Sequence, residues 1–332
     1  MIPSPAHGSV SVLARSPGLD ASGVEVVVTL PTFRRPQQVL DTLASLKAQR
    51  TSRHFAVITM ENDAAKAEGA AAAAPLFEAG DIEGMLIIAH ERGNCSAYNA
   101  GWQTALLQFP NFRYLLVIDD DETADPDWLE NMCACAERFG ADMVGGPQVP
   151  TFEDPANAHW AKHPVFAPPY SRSGPVKALY SSGNLLLTRD QLARMGPPFL
   201  DLRFNFLGGG DSDFLSRSAR AGFKPAWCAD GILREIVPPR RLERDWVRAR
   251  SIRNGVISTL IELKQRRGQP LGALKTFAKS VALLGVSPWR GLKLTLATGS
   301  LAAGIHPFNV GLGRVLAHFG YAREQYREPE KN

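Results

Sequence analysis

Tyr114-Leu115-Leu116-Val117-Ile118-Asp119-Asp120-Asp121 decides the fold. Successive apolar residues read as a strand buried on both faces, and three carboxylates end it abruptly. Adjacent carboxylates repel one another and are costly unless a cation sits between them, so the cluster points to a hard divalent ion, Mg2+ or Mn2+. Such ions keep waters and take only one or two protein carboxylates, which leaves positions for phosphate oxygens. A turn or helix-cap cluster is the structural alternative.

Toward the N-terminus the same unit recurs three times. Val24-Glu25-Val26-Val27-Val28-Thr29-Leu30 is a strand stopped by Pro31, and Pro36 opens a helix on which Val39, Leu40, Leu43 and Leu46 share a face. Phe55-Ala56-Val57-Ile58-Thr59-Met60 leads into Glu61-Asn62-Asp63 and an Ala-rich helix reaching Gly80. Met85-Leu86-Ile87-Ile88 comes next, followed by a helix over residues 96–109. This alternation predicts an α/β fold with a mainly parallel, doubly wound sheet, in which ligands bind beyond the carboxyl ends of the strands. Residues 32–35, 61–63, 91–94 and 119–121 should therefore converge on one crevice.

Toward the C-terminus the pattern loosens. Residues 147–170 are rich in Pro and aromatics and predict an ordered, substrate-facing loop region. Leu185-Leu186-Leu187 restores a strand, and Gly208-Gly209-Gly210 runs into Asp211-Ser212-Asp213 and a helix. Glycines remove bulk where a substrate must come close, and a carboxylate directly after them is placed to accept a proton; a capped turn is the plain alternative. From about Pro270 the chain turns to Leu, Ala and Gly with scattered Lys and Arg, too interrupted for a membrane span. These pieces read as amphipathic helices, lying on a membrane or packing back on the main domain.

The bulk numbers agree with a globular enzyme. The chain has 332 residues, 45% hydrophobic and 21% charged, which excludes a disordered chain and a polytopic membrane protein. A net charge of +4 is too slight to imply nucleic-acid binding, and no nucleic-acid partner is expected. Basic residues crowd into 234–267, where they can meet phosphates, an anionic membrane surface or only solvent. Cys95, Cys133, Cys135 and Cys228 show neither a disulfide framework nor zinc spacing and read as reduced thiols of a cytoplasmic protein. Residues 1–23 lack a signal-peptide core and read as a loose tail. Of the seven histidines none forms a close cluster; His90, at a strand end near the crevice, is the one to watch, with packing its plain role.

The ordered series Val26 to Pro36, Glu61-Asn62-Asp63, Arg92-Gly93-Asn94, Asn99-Ala100-Gly101, Ile118 to Glu122 with Trp128-Leu129, Ser182-Gly183-Asn184, Gly209-Gly210-Asp211 and Glu235 to Arg240 resembles the family-2 glycosyltransferases, of the nucleotide-diphospho-sugar transferase (GT-A) fold. Within them it looks most like bacterial exopolysaccharide transferases of the succinoglycan type. The resemblance covers roughly residues 24–255. It implies a catalytic domain over 24–255, with a nucleotide-binding half (24–145) and an acceptor-binding half (146–255), and a helical extension over 256–332 that is a candidate for membrane association. It also implies an inverting, hexosyltransferase-like enzyme that moves a sugar from a nucleotide diphosphate, UDP first among them, to a hydroxyl of a glycan or lipid-linked oligosaccharide. The product is then a β-glycosidic bond in polysaccharide biosynthesis, made in the cytoplasm or at the inner face of the cytoplasmic membrane.

By the same resemblance Pro31, Thr32 and Arg34 border the base and ribose, with Glu61 and Asp63 near the base and Arg92 and Asn99 near the diphosphate. Asp119 faces the ribose or uracil, and Asp121 holds the metal with Asp120 beside it. Asp211 is the general base, with Asp213 in reserve, and Trp128 belongs to the core. Two departures stand out. Gly210 replaces the Glu that many relatives carry before the catalytic Asp, and Glu235 stands where many have a late His that completes the metal site. Two other readings remain open: a haloacid-dehalogenase-like phosphatase with Asp119 as nucleophile, and an inactive nucleotide-sugar-binding protein.

Overall fold

The computed structural model describes residues 9–322, 324 and 327. In chain order the first elements are β1 (Val10–Arg15), β2 (Val26–Thr32), α1 (Pro36–Lys47), β3 (Phe55–Glu61), α2 (Glu68–Glu78), β4 (Gly84–Ala89) and α3 (Asn94–Gln108). Then come β5 (Tyr114–Val117), β6 (Glu122–Ala124), α4 (Trp128–Phe139), β7 (Met143–Gly145), β8 (Gln148–Phe152), β9 (Gly174–Pro175), β10 (Leu185–Thr188) and α5 (Arg189–Met195). The last are α6 (Gly210–Arg220), β11 (Pro225–Trp227), β12 (Leu233–Val237), α7 (Arg244–Gln265), α8 (Gly272–Gly285), α9 (Ser287–Thr298) and α10 (Leu301–Ala317).

The chain forms two compact units, residues 1–148 with 170–235, and residues 149–169 with 236–332. This differs from the expected cut after residue 255, which α7 crosses without a break. An amphipathic helix cannot be divided at a point where its own backbone bonds continue.

The first unit is built on a nine-stranded sheet in the order β1-β4-β3-β2-β5-β10-β7-β11-β9. From β4 through β5 the strands are parallel, as the strand-helix alternation predicts. Past β5 the sheet turns mixed, with β10 antiparallel to both β5 and β7. β2 and β5 are buried on both faces, and Val26, Val28, Leu30 and Leu116 pack with Val39, Leu43 and Leu46 of α1. α3 is buried on nearly every side between Cys95 and Trp102, so its sequence lacks a clean polar face.

Residues 10–15 correct the loose-tail expectation for 1–23. They form the edge strand β1, antiparallel to β4 from Val10↔Ala89 to Arg15↔Met85 with an irregularity between Val12 and Ala14. An edge strand needs backbone partners more than a buried side-chain face, and most side chains of β1 are exposed, so the sequence carries no apolar run to reveal it. His90 belongs here: its amide donates to Ser9 O and its ring shares a 2.9 Å bond with Ser11 Oγ.

The second unit has a small apolar core of Phe166, Val237 and Val247, with Trp246 stacked on Phe166. The stretch expected as a loop, 147–170, contains β8 and a 3-10 helix over Pro155–Lys162.

Candidate active site

The carboxyl ends of β2, β3 and β5 bring the polar groups together. Thr32, the last residue of β2, donates from Oγ1 to Asp120 Oδ2 at 2.9 Å, and the Phe33 amide donates to the same oxygen at 3.3 Å. Arg35, in the turn before α1, donates to Asp120 Oδ1 at 2.8 Å and stands 3.0 Å from Asp121 Oδ2. The guanidinium thus bridges two carboxylates of the triple aspartate. Burial opposes its charge, but Asp120 and Asp121 raise its pKa above the usual arginine range.

Carboxylates crowd together on this side of the crevice. Burial, then the charge of Asp121, pushes the Asp119 carboxyl up to about 7, although the Tyr98 hydroxyl bonds it. Glu122 is raised well above the ordinary range by burial and then by Asp119 and Asp121. Its Oε2 accepts from the Asp119 amide at 2.9 Å, and its Oε1 accepts from Gln148 Nε2. Glu235 reaches the same cluster because β12 pairs β6 in the register Glu235↔Glu122. Its charge raises both Asp119 and Glu122.

This surplus of oxygen donors, with carboxyls driven toward protonation, fits a hard divalent cation. Among the described residues no three His, Cys, Asp or Glu side chains are gathered in metal-binding geometry. The side chain of Asp121 is 17% exposed against 8% for Asp120, so Asp121 is the more accessible.

At the mouth of the crevice Arg34 adopts φ 56° and donates from Nε to Asp63 Oδ2 at 2.6 Å. Burial would raise Asp63, but Arg34 wins and holds it below the usual carboxylate range. The Arg34 and Arg92 guanidiniums lie 5.0 and 5.2 Å from the centroid of the Phe33 ring. Together they present cationic groups beside an aromatic face. Pro31 lies on β2 opposite Met60 of β3, half-buried.

Asp211 sits in the first turn of α6. Its Oδ2 accepts from the Ser182 amide at 3.2 Å and its Oδ1 from the Ser212 amide at 2.7 Å. A Cβ on the neighbouring Gly183 would stand 3.1 Å from Asp119 Oδ2, so Asp211 and the aspartate cluster flank the same short stretch of backbone. Gly208 and Gly209 turn the chain into α6 at φ 82° and 94°, a region that favours glycine. Gly210 has a packing reason: a Cβ there would meet Cys95 Sγ of α3 at 2.5 Å. A side chain at this place would have to move the Cys95 thiol.

Three expected site residues serve the scaffold instead. Asn99 clamps Leu200 with both ends of its amide, donating to its carbonyl and accepting from its N–H, each at 2.8 Å. Glu61 is fully buried and accepts from the amides of Asp63 at 2.7 Å and Ala70 at 3.0 Å, bracing the turn into α2. Asp213 is 0% exposed and bonded to Arg217 Nε at 2.9 Å, which removes it as a reserve base. In each case a short polar side chain next to a turn satisfies backbone or a neighbouring ion, a role that motif order does not separate from ligand binding. Trp128 is core, as expected, with its indole N–H on Asn184 Oδ1 at 2.9 Å. Tyr98 and Gln148 were not singled out in the sequence, and Arg35 was expected only as part of the 32–35 turn at the crevice; its pairing with Asp120 and Asp121 is seen only in the structure.

Comparison with known proteins agrees with this geometry. Residues 27–194 match Glycosyl transferase family 2. The succinoglycan biosynthesis protein ExoM of Rhizobium meliloti (strain 1021) is 30% identical over 233 residues, 68% of this chain and 71% of that protein. Among solved structures, the mannosyltransferase PcManGT from Pyrobaculum calidifontis, in complex with GDP-Man and Mn2+, superposes with a TM-score of 0.56 at 17% identity, covering 91% of this chain and 89% of that one. S. aureus TarS superposes at 0.51 and 11% identity over 87% of this chain, which spans 55% of that protein's length. The fold is accordingly that of the GT-A glycosyltransferases. With the motif order, the sheet and the match over half its length in agreement, the chain is a glycosyltransferase and belongs to glycosyl transferase family 2.

Proposed function

We propose that the protein is an inverting glycosyltransferase that moves a sugar from a nucleoside diphosphate, UDP in the first instance, to a hydroxyl of a glycan or lipid-linked oligosaccharide in exopolysaccharide biosynthesis. The observation that carries the reading is the juxtaposition of Asp211, at the start of α6, with the acidic cluster after β5 across Ser182 and Gly183. ExoM is named for succinoglycan biosynthesis, and TarS has been solved with UDP and with UDP-GlcNAc, which supports the donor class.

Thr32, Arg34, Asp63, Arg92 and Asp119 border the nucleotide in this reading. Asp121, with Asp120 beside it and Glu235 across the sheet, holds Mg2+ or Mn2+; PcManGT was solved with Mn2+. When bound, the ion neutralises charge on the departing diphosphate. Asp211 takes the acceptor hydroxyl proton as the oxygen attacks the anomeric carbon from the face opposite the diphosphate. That single displacement inverts the centre, so an α-linked donor gives a β-glycoside.

The test is a donor screen, with and without Mn2+, that reads release of nucleoside diphosphate and linear product. Asp211→Asn keeps an acceptor for the Ser182 amide and is expected to lower kcat by about 10² to 10⁴ while donor binding persists. Transfer that survives this substitution unchanged removes Asp211 from the mechanism. Turnover indifferent to chelation removes the metal assignment.

A further inference from the structure

The three helices after residue 270 are turned inside out. α8 buries Gly272, Thr276 and Ser280, one every four residues, and exposes Leu274, Lys275 and Val281. α9 buries Ser287 and Gly291 and exposes Trp289, Leu292 and Leu296. α10 exposes Leu301, Ile305 and Phe308 along one face and buries Ala303, Gly311 and Gly313. A helix at a protein-water boundary does the reverse. The buried hydroxyls are satisfied locally: within α8 Thr276 donates to Gly272 O and Ser280 to Thr276 O, each at 2.9 Å, and Ser287 at the start of α9 donates to Leu284 O near the end of α8 at 2.7 Å.

The helices also meet through small residues. A Cβ on Gly291 would stand 2.4 Å from Gly304 O, one on Gly313 2.0 Å from Ile252 O, and one on Gly255 2.1 Å from Val310 O. Backbone-to-backbone packing of this kind is the habit of helices in lipid, where large apolar side chains gain little by turning inward. Eleven of the sixteen exposed large hydrophobic side chains among the described residues lie between Leu271 and Phe319, so the exposure is a concentrated feature and not scatter.

Charge identifies the occupant. From residue 263 to 320 the sequence has eight Lys and Arg and no Asp or Glu. Lys275, Arg290 and Lys293 are exposed among the apolar side chains, with Lys293 Nζ 4.9 Å from the Trp289 centroid. A second copy of the chain would oppose this surface with the same sign of charge, whereas anionic lipid headgroups complement it. Among the described residues no helix is long and apolar enough to cross a membrane.

We propose that α8, α9 and α10 form an interfacial docking surface for a bilayer bearing anionic headgroups, with Trp289, Leu292 and Leu296 entering the acyl boundary and Lys275, Arg290 and Lys293 at the headgroups. The surface is defined by the second unit alone and does not rest on the donor or metal assignment.

Flotation of the full chain with vesicles tests it. The chain floats with phosphatidylcholine vesicles carrying about 30% phosphatidylglycerol and at least about tenfold less with phosphatidylcholine alone. Leu292→Glu with Leu296→Glu, and separately Lys275→Glu with Arg290→Glu and Lys293→Glu, each lower the bound fraction about tenfold or more. Both variants keep the wild-type melting temperature and the wild-type rate of nucleoside diphosphate release in the absence of vesicles, which separates lost docking from lost folding. A chain that ignores both vesicle types overturns the proposal, as does equal flotation with both. A concentration-dependent dimer that Leu296→Glu dissolves, without vesicle binding, assigns the face to a second copy and overturns it too.

Discussion

Arg35 and Asn99 show how much a single side chain can carry at this site. Arg35 is the cation that Asp120 and Asp121 share, so Arg35→Met leaves crowded carboxylates without it. The expected loss is about 2 kcal/mol in chemical denaturation, because an ion left without its partner costs more than the pair contributes. Mg2+ or Mn2+ should recover more stability in this variant than in the wild type; equal shifts would detach the ion from these carboxylates. Asn99→Ala orphans both the N–H and the carbonyl of Leu200. A loss of about 2 kcal/mol or more is expected. A diphosphate ligand would instead show itself as a raised donor KM at unchanged stability.

At the scale of elements, the site depends on how α6 starts and what it starts against. Gly208 and Gly209 supply the left-handed turn, and Gly210 lets α6 approach α3 at Cys95. Gly210→Ala should cost about 1 to 3 kcal/mol by overpacking, and Cys95→Ala should relieve part of that cost in the double variant. Additive melting shifts would mean that Cys95 is not the obstacle. The packing also gives a physical reason for a departure noticed in the sequence: with Cys95 where it is, even a Cβ at the position before Asp211 would meet its thiol.

At the scale of the whole molecule, a buried histidine pair makes the second unit sensitive to acid. His306 is lowered to about 4, by burial and then by the neighbouring charge of His163, and His163 is lowered by burial. Their rings lie 5.5 Å apart, and His306 Nδ1 bonds Ser251 Oγ at 2.9 Å. Between the ordinary histidine pKa and about 4 these two side chains bind more protons in the unfolded chain than in the folded one, so their contribution to stability falls as pH drops from about 6.5 toward 4. Near-neutral pH retains it in full. His306→Gln should flatten the pH dependence of melting across that window; an unchanged profile would place the acid sensitivity elsewhere.

The sequence by itself determined the parallel core and its ligand-binding end. Strands β2 through β5 are buried on both faces, so their apolar runs are continuous and their polar terminators mark the crevice. It also singled out Asp119, Asp120, Asp121 and Asp211, because carboxylates after a buried strand or a glycine turn have few other uses. Tertiary structure alone shows which of the polar residues already have scaffold partners. Motif order treats Asn99, Glu61, Asp213 and Asp211 alike; what separates them is burial, since Asn99, Glu61 and Asp213 are fully enclosed while Asp211, although its oxygens also accept backbone amides, stays partly exposed. The edge strand β1 was hidden in the sequence, and so was the role of Arg35 as counter-ion, although its turn was expected at the crevice. An edge strand's partners are backbone, and a charge acquires its role only from the charges the fold puts beside it.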